Sequence, residues 1–169
     1  MLKRFIGAGV CALGFAAVVC LAEAAAQTAN SNAPDVTLAP TYGTIDWRAG
    51  FGPDPYAVRI AAGGSLDASV GVSEECRGWI ARAPDFRVNY TRTGELPLIV
   101  SVASEADTML VINDPQGHWV CDDDGGRAGF NPSVTFSAPA SGQYDIWIGA
   151  DRGGALHEST LYVSEQTSH

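Results

Sequence analysis

The sequence has little positive charge. Lys3 is its only lysine, and ten basic residues stand against 19 acidic ones, for a net charge of −9 at pH 7. Nucleic acids and anionic lipid surfaces bind proteins through a basic face. We therefore expect no nucleic-acid partner, and no membrane partner once the start of the chain has been removed.

Long apolar runs are absent except at the start of the chain. There, an apolar run over residues 5–21 follows two basic residues and precedes small-residue cleavage sites that end at Ala24 and Ala26. This order is typical of an export signal. We predict a signal peptide over residues 1–26, cleaved near Ala24 or Ala26, and a periplasmic or secreted mature protein. A membrane anchor is the alternative, and the cleavage sites argue against it.

Cysteine is scarce as well. Of the four cysteines, Cys11 and Cys20 leave with the signal, and Cys76 and Cys121 remain. In an oxidising compartment such a pair forms a disulfide. The enclosed loop of about 45 residues gives a stabilisation of about 4 kcal/mol in the chain-entropy model. A metal or redox pair is not supported, because the sequence lacks a C-x-x-C motif and a second ligand set.

No segment of the mature sequence has a helical period. Short apolar or alternating segments recur every 8 to 12 positions between turns rich in Gly, Pro and Asp, which predicts an all-β, antiparallel β-sandwich of the jelly-roll or immunoglobulin-like type. We predict one domain over residues 42–169, preceded by a flexible leader over residues 27–41 that extends from the domain or lies along it. Strands are predicted at residues 42–47, 56–61, 66–70, 78–80, 86–91, 98–102, 108–113, 118–121, 133–137, 143–148 and 156–163.

The alternation of apolar and polar residues indicates which faces of the strands are buried. The run over residues 109–112 does not alternate, so it should be a central strand covered on both sides. Along residues 143–148, Asp145 and Trp147 fall on the face opposite to the isoleucines. Trp147, and Trp119 on a neighbouring strand, are therefore candidate exposed aromatics that stack on a sugar or anchor a peptide. Burial of both indoles in a two-sheet fold is the alternative.

An acidic, glycine-rich loop carries three consecutive aspartates ahead of Gly125 and Gly126. Carboxylates this close repel one another, and Ca²⁺ neutralises such a group because it accepts six to eight oxygen ligands in flexible geometry. The loop is not an EF-hand, since its sixth position is Arg127 and its twelfth is Ser133. The alternative is that these residues only form turns and cap backbone N–H groups. The predicted Ca²⁺ ligands are Asp114, Asp122, Asp123, Asp124 and Asn131.

Several motifs follow one another between residues 107 and 147. They are Asp107-Thr108 with its apolar run, the turn Asp114-Pro115-x-Gly117, the acidic loop, Asn131-Pro132, and Ser141-Gly142-x-Tyr144. This order resembles the bacterial pre-peptidase C-terminal domain, a secreted β-sandwich that is often appended to extracellular proteases. The resemblance covers about a quarter of the chain and implies an exported module, not an activity.

Catalytic motifs are missing. A serine triad needs a histidine beside a nucleophile, and the available histidines are His118, His157 and His169. No serine stands in a Gly-x-Ser-x-Gly elbow. We therefore predict an exported, non-catalytic binding module, stabilised by Ca²⁺, that recognises a protein or a polysaccharide.

Two other functions remain open at the level of sequence. One is a hydrolase in which Asp122 and Asp124 act on glycosides or phosphoesters, which for a glycosidase requires two carboxyls facing each other across a cleft. The other is an inhibitor or chaperone of a secreted protease. The sequence does not decide the oligomeric state.

Overall fold

A computed structural model describes residues 32–127 and 130–169. The predicted signal peptide and residues 27–31 of the predicted leader lie outside the described residues, so those assignments stay predictions. No helix in the described ranges is long and apolar enough to cross a bilayer. The elements in chain order are β1 (Thr44–Arg48), β2 (Tyr56–Ala62), β3 (Leu66–Asp67), α1 (Ala68–Gly71), β4 (Trp79–Ile80), β5 (Phe86–Thr91), β6 (Leu98–Ser104), β7 (Thr108–Asn113), β8 (Trp119–Asp122), β9 (Ser133–Phe136), β10 (Gly142–Ala150) and β11 (His157–Ser164).

Two sheets form a β-sandwich, as the strand spacing predicts. In the first, sheet A, β10 is central: β5 and then β1 lie on one side of it, β7 and then β8 on the other. The short strands β4 and β3 continue sheet A past the end of β5, with β4 paired to β10 at Ala150. Sheet B has the order β2-β11-β6-β9. The prediction of antiparallel strands is wrong for one pair, because β1 runs parallel to β5.

The predicted strands match the structure closely, with one exception. Residues 86–91 and 108–113 begin and end as predicted. The strand predicted over residues 66–70 ends at Asp67, because the Asp67 carboxylate accepts hydrogen bonds from the backbone N–H and the hydroxyl of Ser69. This is an N-terminal helix cap, and it starts the short helix α1.

The main core lies between the two sheets. Strand β7 is buried on both faces from Thr108 to Ile112, which confirms the prediction of a central, doubly covered strand. The inward-facing side chains of β10 also lie in this core, as alternation predicts. The core comprises Ile60, Ala62, Phe86, Val88, Tyr90, Leu98, Val100, Val102, Leu110, Ile112, Val134, Tyr144, Ile146, Ile148, Leu161 and Val163.

A second apolar core lies on the outer face of sheet A. There, residues 66–81, which we call the cover segment, pack over outward-facing side chains of β7 and β10. The predicted disulfide joins Cys76 in the cover segment to Cys121 in β8, with the two Cα atoms 5.4 Å apart. The buried members of this second core are Ala68, Cys76, Ile80, Met109, Val111 and Trp147.

Residues 32–41 take the second of the two arrangements that the sequence analysis leaves open for the leader. They lie along the domain: the Asp35 N–H donates to the Arg82 carbonyl at 2.8 Å, and the Thr41 N–H donates to the Pro84 carbonyl at 2.9 Å. The Arg87 guanidinium also donates to the Val36 carbonyl at 2.7 Å. Backbone pairing thus fixes a segment whose side chains alone give it little reason to pack.

Asp85 is a buried carboxyl at the point where β10 passes from β5 to β4. It is 3% exposed, and its Oδ2 accepts a hydrogen bond from the Ile148 N–H at 2.7 Å. Burial raises the pKa of Asp85 to about 7, against the lowering effect of the Ile148 bond. The side chain therefore completes the hydrogen bonding of β10 where no neighbouring strand does so.

We expect Asp85 to make the domain less stable as the pH rises from 5 to 7. Between the unfolded pKa of 3.8 and the folded pKa of about 7, the folded state holds a proton that the unfolded state has released. The free energy of unfolding should fall with a slope of at most about 1.4 kcal/mol per pH unit. Denaturant unfolding at several pH values measures this slope.

Asp85→Asn is the matched variant, because the amide oxygen still accepts the Ile148 bond and carries no charge. It should lose most of the pH dependence and be more stable than the wild type at pH 8. An unchanged slope between pH 5 and 7 in this variant would exclude Asp85 as the source.

Candidate functional site

The acidic loop is built around Asp122, whose carboxylate accepts hydrogen bonds from backbone N–H groups. Its Oδ2 accepts hydrogen bonds from the Gly125 N–H and from the Ser133 N–H, both at 2.8 Å. Asp123 and Asp124 are exposed. Asp122 thus fixes the loop between β8 and β9, the connection by which the chain crosses from sheet A to sheet B.

Asp114, predicted as a further ligand, does not join this loop. In the hairpin, Leu110 pairs with Asp122 and Asn113 pairs with Trp119. Asp114 is four residues beyond Leu110, the residue opposite Asp122. At 3.3 Å per residue, it therefore lies about 13 Å from Asp122 along the strand direction. It cannot share one ion with the acidic loop, so this part of the predicted ligand set is wrong.

Asp114 instead holds the turn that the sequence predicts. Its Oδ1 accepts hydrogen bonds from the N–H groups of Gln116 and His118, and the Gly117 N–H donates to the Asp114 carbonyl. Burial favours a higher pKa for Asp114, but the hydrogen bonds from His118 and Gln116 outweigh it and lower the pKa.

Asn131 also has a structural role. Its side-chain oxygen accepts the Ser104 N–H at 3.0 Å, and its amide donates to the Ser104 carbonyl at 3.1 Å. Its backbone carbonyl accepts the Gly126 N–H at 2.8 Å. Asn131 therefore ties the acidic loop to the end of β6.

Calcium binding by the remaining aspartates stays a prediction. Within the described ranges, no three His, Cys, Asp or Glu side chains are grouped so that they could hold one metal ion. The melting temperature of the mature domain in millimolar Ca²⁺ and in EDTA tests it directly. A site with a dissociation constant near 10 μM would add about 2.7 kcal/mol at a hundredfold excess of ion, a shift of several degrees. Equal melting temperatures would leave the aspartates as turn formers.

The two candidate aromatics are largely internal. Trp147 is 0% exposed, so its predicted role as an exposed binding residue is wrong. It lies on the outer face of sheet A, as alternation predicts, but the cover segment packs over it. Trp119 is half-buried and contacts Trp147, with ring centroids 5.3 Å apart. The Trp147 Nε1 has no hydrogen-bond partner among the described residues.

The histidines form no catalytic constellation with the described residues. His118 contacts the Asp114 carboxylate at 3.1 Å, and His157 contacts Asp151 at 3.4 Å. Neither ring has a hydrogen bond to a serine, threonine or cysteine within the described ranges. The ring of His169 stacks on Tyr162 with centroids 4.2 Å apart.

A surface that the sequence analysis missed lies at the end of the sandwich that carries the acidic loop. The described connections there span residues 63–65, 105–107, 123–127, 130–132 and 151–156. Hydrogen bonds join them: the Gly154 N–H donates to the Gly64 carbonyl, and the Thr108 N–H donates to the Phe130 carbonyl. We call this surface the loop end.

Two large apolar side chains project from the loop end. Phe130 is 70% exposed and Leu156 is 67% exposed. Both follow glycine-containing loop segments, a pattern from which sequence alone does not predict exposure. Leu156 was predicted to begin the last strand, but the strand begins one residue later, at His157.

Beside Leu156, an open groove of about 1100 Å³ crosses the outer face of sheet B. Three small side chains from adjacent strands face it: Ala61 on β2, Thr160 on β11 and Ala103 on β6. Thr160 pairs with Ala103 on one side and with Arg59 on the other. Along the side nearest the loop end, the groove is bounded by Glu105, Ala106, Leu156 and Glu158.

The loop end is strongly acidic. Its loops carry the carboxylates of Glu105, Asp107, Asp123, Asp124 and Asp151 against the guanidiniums of Arg127 and Arg152. The pKa of Asp107 is raised, first by burial and then by the negative charges of Asp124, Asp151 and Asp123. The negative charges of these three aspartates therefore reach Asp107, and Arg152 pairs with Asp151 at 3.2 Å.

These observations define the class: the chain is an all-β protein that folds as a two-sheet sandwich, with a disulfide-linked cover on one sheet and an open groove on the other. Among solved structures, it is similar to PliG, a periplasmic inhibitor of g-type lysozyme from Aeromonas hydrophila. The identity is 16%, the TM-score is 0.39, and the match covers 72% of this chain and 96% of that one. No protein-family model and no curated protein matches. At this identity and TM-score the likeness carries no inference about activity or partner.

Proposed function

We propose that this protein is an exported, non-catalytic module that binds another protein through the loop end and the adjoining groove. The observation that carries this proposal is the exposed apolar side chain of Leu156 in the lining of an open groove, with Phe130 exposed on the same loop end. Apolar surface rimmed by polar residues is a feature of protein interaction sites. A pocket for a small molecule instead encloses most of its ligand, whereas this groove is open along a sheet face.

The hydrolase alternative has less support. The Asp122 carboxylate already accepts two hydrogen bonds from backbone N–H groups. Among the described residues of the loop end, no histidine is hydrogen-bonded to a serine, threonine or cysteine side chain. The resemblance to the pre-peptidase C-terminal domain and the predicted signal peptide both support an exported module. They remain predictions, as does the periplasmic or secreted location.

The proposal is tested by capture from the exported protein fraction of the source bacterium. Immobilised mature domain is compared with the variants Leu156→Asp and Phe130→Asp. The control is Leu96→Asp, a change of the same kind at an apolar residue that is 42% exposed at the opposite end of the sandwich. We expect the wild type and the control to retain the same partner and the two loop-end variants to lose it.

Equal retention by all four proteins would place the interface elsewhere. Failure of the wild type to retain any partner would refute the proposed function. Assays on a secreted protease and a g-type lysozyme reveal whether the binding takes the form of inhibition. Cleavage of glycosides or phosphoesters that Asp122→Asn abolishes would establish the hydrolase instead.

A further inference from the structure

The groove combines a floor of small side chains with two exposed carboxylates at its rim. Its floor consists of the small side chains of Ala61, Ala103 and Thr160, which leave room for side chains of another molecule. Its rim toward the loop end carries Glu105 and Glu158, both exposed. Neither glutamate has an ion-pair partner among the described residues.

The charges around the groove favour a cationic occupant. Arg59 lies at the opposite margin, on the edge strand β2, so the lining has two carboxylates against one guanidinium. The adjacent loops add further carboxylates: burial raises the pKa of Asp107, and the negative charges of Asp124, Asp151 and Asp123 raise it further. The net charge of this region is negative, and a net negative field beside a groove attracts cationic groups and repels anionic ones.

The lining holds both apolar and charged side chains. Leu156 is exposed and lines the groove together with Glu105 and Glu158, and Phe130 is exposed on another connection of the loop end. A purely cationic ligand would leave Leu156 in water, and a purely apolar one would leave Glu105 and Glu158 beside a low-dielectric surface. A segment that carries both kinds of side chain satisfies both features.

We infer that the partner of this module presents a basic segment in which arginine or lysine side chains alternate with aliphatic ones, and that the groove receives this segment. The inference rests on the proposed function and names the chemistry of the partner. Aliphatic side chains cover the floor and Leu156, and cationic side chains reach Glu105 and Glu158.

Fluorescence anisotropy with three short labelled peptides tests the inference. The first alternates arginine with leucine, the second alternates glutamate with leucine, and the third alternates arginine with serine. We expect the first to bind and the other two to bind at least tenfold more weakly. Raising the salt concentration from 50 to 500 mM should weaken the binding of the first peptide, because salt screens exposed charge pairs.

The decisive variant is Glu105→Gln combined with Glu158→Gln. It should weaken the binding of the arginine–leucine peptide by roughly three- to tenfold, the effect expected from the loss of two exposed charge pairs. The control combines Glu74→Gln with Glu75→Gln, which changes the net charge equally at exposed positions in the cover segment on the other sheet. This control should bind like the wild type.

The other outcomes overturn the inference. If no peptide binds, if the glutamate–leucine peptide binds equally well, or if both double variants weaken binding equally, the groove does not select a basic-aliphatic segment. The capture experiment separates this failure from failure of the proposed function. If, in that experiment, the Leu156→Asp variant loses the partner while the Glu105→Gln/Glu158→Gln variant retains it even at high salt, the binding function stands. The selection of a basic segment then does not.

Discussion

Replacing both Cys76 and Cys121 with serine should lower the free energy of unfolding by about 4 kcal/mol and the melting temperature by roughly 10 to 20 °C. The disulfide closes a loop whose ends are 45 residues apart in the sequence. Removing it restores to the unfolded chain the conformations that the bridge excludes. Thermal unfolding of the oxidised wild type and of the double variant measures the effect.

The same replacement should also loosen one part of the folded molecule selectively. The cover segment is held to sheet A by two-residue strands and by the bridge, and it packs over Trp147. Local opening is expected first where backbone hydrogen bonds and buried contacts are few. Hydrogen exchange should therefore accelerate in residues 66–81 before it does in β7 or β10.

Reduction of the wild type is the control for this prediction. It should reproduce the lower melting temperature of the double variant, and the double variant itself should not respond to the reductant. If the double variant and the oxidised wild type had the same melting temperature, the bridge would contribute no stability.

Arg87→Met should destabilise the domain by about 3 to 5 kcal/mol, because it leaves a buried carboxylate without its charge partner, with the Gln143 amide at 2.7 Å still donating to it. The Arg87 Nε donates to the Asp145 Oδ1 at 2.6 Å, and the Asp145 side chain is 2% exposed. The variant also removes the bonds from the Arg87 guanidinium to the carbonyls of Val36 and Leu38. Denaturant unfolding gives the free-energy difference.

A surface ion pair of the same residue types supplies the matched control. Arg82 contacts Asp35 at 3.6 Å, and the Arg82 side chain is 43% exposed. Arg82→Met should therefore cost less than about 1 kcal/mol. Combining Arg87→Met with Asp145→Asn should recover part of the loss, because no buried charge is then left unpaired. Equal costs for the two arginine replacements would contradict the assignment of Arg87–Asp145 as the buried, stabilising pair.

The sequence predicts features that depend on neighbouring residues. Period-2 alternation and turn residues locate ten of the eleven strands to within a few positions, and Asp114, Pro115 and Gly117 specify their turn because each fixes a local backbone preference. The disulfide follows from a count of two cysteines in an exported chain. One local signal was missed: the Asp67 carboxylate caps α1 where the apolar run predicts a continued strand.

Trp147 shows where this local information ends. Alternation correctly separates it from Ile146 and Ile148, but alternation describes one sheet and does not reveal what packs on its outer face. That face is buried because the cover segment, which is distant from Trp147 in the sequence, packs on it. The disulfide and the pairing of β4 with β10 hold the segment there. The parallel pairing of β1 with β5, the docking of residues 32–41 and the groove on sheet B likewise arise from segments that meet only in three dimensions.

The sequence by itself thus determined the strands, the main turn, the disulfide and the acidic character of the chain, because each depends on residue type and short spacing. Only the tertiary structure decided that Trp147 is core, that Asp114 lies apart from the acidic loop, and that Phe130 and Leu156 are exposed, Leu156 in the lining of a groove. Exposure and proximity depend on which distant segments cover a surface, and no local pattern in the chain encodes that.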